Sequence, residues 1–286
     1  MVQQPIAPGR MAADELDPVS RPLFGPGRLA QVPFLGVAGF VLVLVVWELS
    51  RYVADLRPLL PYPTGVVQAL WDLTVGNARG EFVPGILATA RFILTGFLVA
   101  VVVGTVLGFV AGRYRRARMA IYPYLNVLYA TPRVALIPLI IVWFGLGATT
   151  AITVVVLSCS FHIAIGTAEG VRNSSAPFLP VAKSFGANEW TTVTRIVLPA
   201  AIPYLIASWR LGAGRAVVAA LIAELYLDQG VGLGRLLDRY SLSLALERAF
   251  AVIVVITLLG LAFMHLFSLV GRLLARRFGS AFTAAG

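Results

Sequence analysis

Charge is scarce in this 286-residue chain: Asp, Glu, Lys and Arg make up 13%, against 59% hydrophobic residues and a mean hydropathy of +0.86. That is too little charge to cover a soluble domain, so a soluble fold is excluded. There is one cysteine, Cys159, inside an apolar run, which excludes an intrachain disulfide and a cysteine metal cluster. Of the two histidines, His162 and His265, neither belongs to His-Glu-x-x-His, and no Gly-x-Ser-x-Gly occurs. A hydrolytic membrane enzyme therefore lacks both its metal set and its nucleophile. Gly-x-x-x-x-Gly-Lys-Ser/Thr, the loop that cradles nucleotide phosphates, is missing too; the glycines from Gly230 to Gly234 have no following Lys-Ser/Thr. The chain is expected to be no enzyme and to bind no cofactor or metal itself.

What the chain has is apolar sequence in runs of about 20 residues, the length that spans a hydrocarbon core. Bounded by charge, Pro and Gly, they give six spans near 33–54, 84–112, 119–144, 148–170, 199–228 and 248–272. Residues 1–32, rich in Pro and Gly with mixed charge, read as a disordered tail, and 278–286 as a second short tail. No small-residue cleavage site follows the first run, which argues against a removed signal peptide. The net charge of +10 does not point to nucleic acid, because the basic residues lie between the apolar runs. With both termini inside, thirteen Lys and Arg fall in inner segments and six in outer ones. The positive-inside rule thus puts both termini, and the 171–198 loop, in the cytoplasm.

On the second span Gly96, Ala100, Gly104, Gly108 and Gly112 put a small residue at every fourth position. Such a stripe predicts close packing against another span of the same subunit. The 171–198 loop is long for a tight bundle and carries Phe178, Val181 and Phe185 as an apolar strip beside Lys183, Asn188 and Glu189. This pattern predicts a short amphipathic helix on a membrane surface or in a partner's groove. Gly186 then allows a sharp turn or a close backbone approach, and Pro199 suits the first turn of the next span.

This loop resembles the signature of bacterial ABC-importer permeases, with Gly186, Ile196, Leu198 and Pro199 at matching spacing. Pro180, Val181 and Ala182 stand where the family has Glu-Ala-Ala. The resemblance extends through Leu60 to Pro63, Thr89 to Phe97, Ala135 to Leu139, Trp143 to Gly147, Gly166-Thr167, Gly170 to Arg172, Trp209 to Gly212, Ala223-Glu224 and Gly230 to Gly234. It is closest to the nitrate, sulfonate, taurine and bicarbonate branch. It implies an all-α, six-span membrane fold of the type I importer kind, residues 33–277, with a cytoplasmic coupling helix between spans four and five. It also implies a bacterial inner-membrane protein working as a homodimer, with two ATPase subunits that carry ATP and Mg and an extracytoplasmic substrate-binding protein. Carried onto this chain, Val181, Ala182, Lys183, Ser184, Phe185, Gly186, Ala187, Ile196, Leu198 and Pro199 form the surface that contacts the ATPase.

Ionisable groups at membrane depth are costly and face a partner, a cavity or a pathway. Arg133 stands roughly 20 Å from Met119 by helical rise, near Pro132 and Pro138, where a break is expected; it either forms a weak anion site on the path, or it snorkels or locks a gate through carbonyls. Arg210 and Arg215 should stand some 140° apart on one helix, too far to share a narrow path. Glu224 is expected to pair with Arg91, and Glu48 with Arg51. Arg133, Pro138, Arg210, Glu224 and Arg91 are thus the candidate path or gate residues, for a small anionic solute. The competing reading is a self-sufficient channel or secondary carrier, with the Gly186 loop only a surface helix in contact with lipid.

Overall fold

The computed structural model describes residues 32–52, 61–76, 78–227 and 232–283. The described residues are helical, with no strand. In chain order they form α1 (Val32–Leu49), α2 (Pro63–Thr74), α3 (Arg79–Arg113), α4 (Arg115–Ala130), α5 (Ile137–Phe144) and α6 (Ala148–Ser175). Then come α7 (Phe178–Ser184), α8 (Glu189–Thr192), α9 (Leu198–Tyr226), α10 (Leu233–Leu242) and α11 (Leu246–Thr283). The first 31 residues of the expected tail, Leu60 and the Gly230-Val231 pair lie outside the described residues. Residues 278–283, expected as tail, continue α11.

The glycine stripe decides how the bundle is put together. A Cβ on Gly96 would lie 2.7 Å from Val155, one on Gly104 2.6 Å from the Ser160 carbonyl oxygen, and one on Gly108 2.3 Å from that of Ala164. At Gly112 it would lie 2.7 Å from the Ala168 oxygen. The stripe is pressed onto α6 of the same chain, as the spacing predicts, so the two backbones meet with no side chain between them. The opposite face of α6 meets α9 by the same means: a Cβ on Gly166 would lie 2.3 Å from Ser208 Oγ and one on Gly170 2.3 Å from Tyr204 Cβ. Helix α6 is therefore held between α3 and α9, and Val155, Cys159 and Ile163 are buried there beside Phe97, Ala213 and Ala216.

Among the described residues four helices are long and apolar enough to cross a membrane: Arg79–Arg113, Ala148–Ser174, Glu189–Tyr226 and Leu246–Gly271. The expected third span is broken. Helices α4 and α5 meet at 94°, and counting the bent pair as one span makes five among the described residues, against the six expected. Thr131 and Pro132 end α4, a 3₁₀ turn follows over Arg133–Leu136, and Pro138 opens α5. Proline has no amide hydrogen to donate and clashes with the carbonyl four residues back, so the chain turns here. Pro123 causes no such break, and α4 runs through it. The depth count from Met119 to Arg133 consequently fails, because it assumes one straight helix. The expected first span appears as the shorter apolar helix Gly36–Leu49. It is tied down where the Trp47 indole donates to the Pro61 carbonyl at 2.8 Å, and Glu48 pairs with Arg51 at 2.7 Å as expected.

Leucine at Gly108 would have to displace the α6 backbone, and overpacking of that kind costs about 1–3 kcal/mol or more. Gly108→Leu is expected to lower the thermal unfolding midpoint of the solubilised protein sharply. Gly39→Leu, on an open face of α1 where a Cβ meets nothing within 4 Å, is expected to leave it unchanged.

Candidate functional site

At one end of the bundle, the short helix α7 stops in a Schellman turn. Gly186 sits at φ +68, its amide donates to the Lys183 carbonyl at 3.1 Å, and that of Ala187 donates to Ala182 at 3.0 Å. Only glycine takes that backbone without strain, and a Cβ there meets nothing within 4 Å, so Gly186 provides the sharp turn and no close approach. Asn188 then caps α8, its Oδ1 accepting from the Thr191 amide at 2.8 Å. Inward, Leu179 packs beside Val171, Val197, Ala201 and Leu205, and Ala182 is buried. Outward stand Phe178, Val181 and Phe185, the strip read from the sequence, with Phe185 85% exposed. Trp190, 76% exposed, extends it beyond what the pattern indicated. Lys183 and Ser184 are also exposed, while Ala187, Ile196 and Pro199 are half-buried and Leu198 is exposed.

The helix does not begin at Pro199 as expected. It runs without interruption from Glu189 to Tyr226, 38 residues, through a π-helical turn at Val193–Val197 in which the Leu198 amide donates to Val193. That wider turn lies just ahead of Pro199, whose ring would otherwise crowd the Arg195 carbonyl. Glu189, at the start of this helix, pairs with Arg113 at the last residue of α3, at 2.7 Å. Arg118 adds two bonds to the Ala111 and Gly112 carbonyls, closing the end of α3.

At the far end, Glu224 is 4% exposed. Its carboxylate accepts from Thr89 Oγ1 at 2.8 Å and from the Gly234 amide at 2.7 Å, and Thr89 Oγ1 in turn accepts from the Leu233 amide at 2.9 Å. A Cβ on Gly232 or Gly234 would lie 2.6 Å from Glu224 atoms, which explains why two glycines are needed there. The chain places Thr89, not Arg91, against Glu224; Arg91 is exposed and makes no ion pair with Glu224. Glu81, at the start of α3, pairs with Arg239 of α10, on the rim of a cavity of about 380 Å³.

Along the exposed side of α9 runs a groove of about 1260 Å³ facing α11, bordered by Arg210 and Arg215 among others. Both arginines border it because the groove is broad; the expectation from their 140° separation concerned a narrow path. A smaller cavity of about 240 Å³, bordered by Arg133, Ser158, Arg215 and Val218, shares Gly214 and Arg215 with it. Pro138 is exposed and lies outside the described lining of both. No group of three or more His, Cys, Asp and Glu that could hold a metal ion occurs among the described residues.

Comparison with known proteins ties this geometry to a family. The family of binding-protein-dependent transport system inner membrane components matches residues 104–280, more than half of the chain. A protein of Methanocaldococcus jannaschii named as an ABC transporter permease is 30% identical over 222 residues, covering 77% of this chain and 83% of its own. The chain belongs to this family of ABC importer permeases. The permease is also similar to the riboflavin transport system permease protein RibX of Chloroflexus aurantiacus, 31% identical over 249 residues, 85% of this chain and 90% of that one. A protein of Escherichia coli named as an aliphatic sulfonates transport permease is 30% identical over 192 residues, 66% of this chain and 72% of that one. A chain from the crystal structure of an amino acid ABC transporter with histidines matches with a TM-score of 0.56 at 17% identity, over 72% of the permease and 97% of that chain, which shows the shared fold. The permease is thus a multi-pass, all-helical membrane protein.

Removing the Glu224 carboxylate strands the Gly234 amide and the Thr89 hydroxyl, at about 1–3 kcal/mol for a buried group left without a partner. Glu224→Ala is expected to speed hydrogen exchange at Leu233 and Gly234 about tenfold or more. Glu224→Gln, which keeps an acceptor oxygen, is expected to change it far less.

Proposed function

We propose that the permease forms the translocation path of an ATP-driven importer, with its energy supplied by two separate ATPase subunits that bind ATP and Mg. The observation that carries this reading is the end built from α7, the Gly186 turn and α8. Its apolar side chains, Phe178, Val181, Phe185 and Trp190, project outward while Leu179 and Ala182 hold it to the bundle. A protruding helix with apolar anchors suits the groove of a partner protein. The continuous helix from Glu189 to Tyr226, roughly 57 Å long at 1.5 Å per residue, joins that end to the groove with Arg210 and Arg215. Movement imposed on α7 and α8 by ATPase closure is thereby delivered to the path, and alternating access follows as a shift between outward-open and inward-open states.

In this reading two copies pair in the bacterial inner membrane with both termini cytoplasmic, a substrate-binding protein docks at the outer end, and the solute is a small anion such as a sulfonate, taurine, nitrate or bicarbonate. The relatives named for riboflavin and for aliphatic sulfonates carry chemically different solutes. The anion is supported instead by the arginines on the groove and by the lack of acidic residues among its described lining.

The test is uptake in proteoliposomes holding the permease, its copurified ATPase and the binding protein. Uptake is expected to need ATP and all three components, and Gly186→Glu, which strains the turn and adds charge to the docking face, is expected to abolish it. Uptake by the permease alone, indifferent to ATP and to Gly186→Glu, would contradict the proposal. Arg113→Ala is expected to lower transport several-fold while leaving ATPase binding in place, since α7 and α8 lose their tie to α3; pull-down and uptake on the same preparation check both.

A further inference from the structure

On the permease reading above, we propose that Arg133 and Arg215 clamp the oxyanion group of the transported solute, so that the permease itself selects for an anionic head. Both arginines border the 240 Å³ cavity, together with Ser158 and the apolar Val134, Val218, Ala219 and Ile222. No acidic residue occurs in its described lining or in that of the adjoining groove, and neither arginine forms an ion pair among the described residues. The Arg133 guanidinium feels the like charge of Arg215. Two cations held beside apolar walls repel each other and lack a counter-charge among the described residues, and an anion between them removes both penalties.

The bonding left over at Arg133 points the same way. One Nη donates to the Tyr129 carbonyl at 3.1 Å, and the guanidinium lies 5.8 Å from the Tyr129 ring centroid. These contacts fix the side chain, yet the buried Nε has no partner among the described residues. A guanidinium offers donors in a planar fork, which suits the paired oxygens of a carboxylate, sulfonate or phosphate better than a single-atom anion. The cavity has room for such a head. The remainder of the solute extends past Gly214 into the 1260 Å³ groove, where Arg210, His265 and Ser268 stand among apolar neighbours. The same chemistry is offered by a free solute and by a lipid headgroup, and we commit to the solute, because the cavity is reached through the groove on α9.

Val218, on the cavity wall, gives a reporter position once the one native thiol is removed by Cys159→Ser. With Val218→Cys in that background, in permease–ATPase complex held in phospholipid-free micelles, the labelling rates of anionic and cationic methanethiosulfonates are compared, each relative to a free thiol. The anionic reagent is expected to be favoured by about tenfold or more, as nearby positive charge attracts it. Methanesulfonate at millimolar concentration is expected to slow it. Both effects should vanish in the Arg133→Gln/Arg215→Gln double variant. Arg133→Lys/Arg215→Lys should keep the charge preference but lose most of the protection, an outcome that a merely folding-impaired variant would not give. Equal protection without the arginines, no protection in their presence, or protection by phosphatidylglycerol but not by methanesulfonate would overturn the clamp. ATPase copurification and coupled uptake report on the permease reading separately, so either can fail while the other stands.

Discussion

Everything in this bundle depends on the contact of helix backbones across α6. Where Gly96, Gly104, Gly108 and Gly112 meet α6 from one side, and Gly166 and Gly170 of α6 receive α9 on the other, there is no room for even one added carbon. In a lipid environment apolar side chains gain little by leaving the surroundings for a neighbouring helix, so close packing of backbones takes the place of a hydrophobic core. The result is a three-helix slab, α3, α6 and α9, from which the working parts hang at either end. One is tied on by Arg113 and Glu189, the other by Thr89, Glu224 and the amides of Leu233 and Gly234. Both ties run to α3 and to the 189–226 helix, the outer members of the slab.

The slab also explains why the arginines can be where they are. One side of α9 is used up by the contact with α6; the other is left open and carries Arg210 and Arg215, toward which the bend after Pro132 brings Arg133. A straight third span would have carried Arg133 past that face. The bend is therefore part of the candidate path, and the same helix that lines it begins at the end we assign to the ATPase.

Much of this was legible in the residues. The stripe at every fourth position and the strip of Phe178, Val181 and Phe185 depend on helical period alone, and helical period is local. At Gly186 the sequence left a sharp turn and a close backbone approach both open, and the structure shows the turn. The Glu224 pairing was not legible: Arg91 and Thr89 are both near the same depth, but they stand some 200° apart on the helix at about 100° per residue. Only the tertiary packing says which of them faces α9. That Arg210 and Arg215 border one groove was not legible either, since an angle on one helix says nothing of how broad the facing groove is. The angle of the break in the third span was not legible, since Pro132 turned a run of sufficient length into two pieces at 94° and hydropathy records composition and not direction. The π turn before Pro199, which lets the helix start ten residues early, leaves no period of its own in the sequence.

The central claim is that the α7–α8 end and the groove face of α9 move as one body. With the native thiol removed by Cys159→Ser, spin labels attached after Lys183→Cys and Val218→Cys would report the distance between them by pulsed electron resonance, in single chains diluted among unlabelled copies. The account predicts the same intrachain distance, within about 2 Å, whether the partner ATPase is empty or loaded with ATP, while labels at Val218→Cys alone in paired copies shift. An intrachain distance that changes with ATP while the Val218→Cys labels of paired copies stay fixed would contradict it.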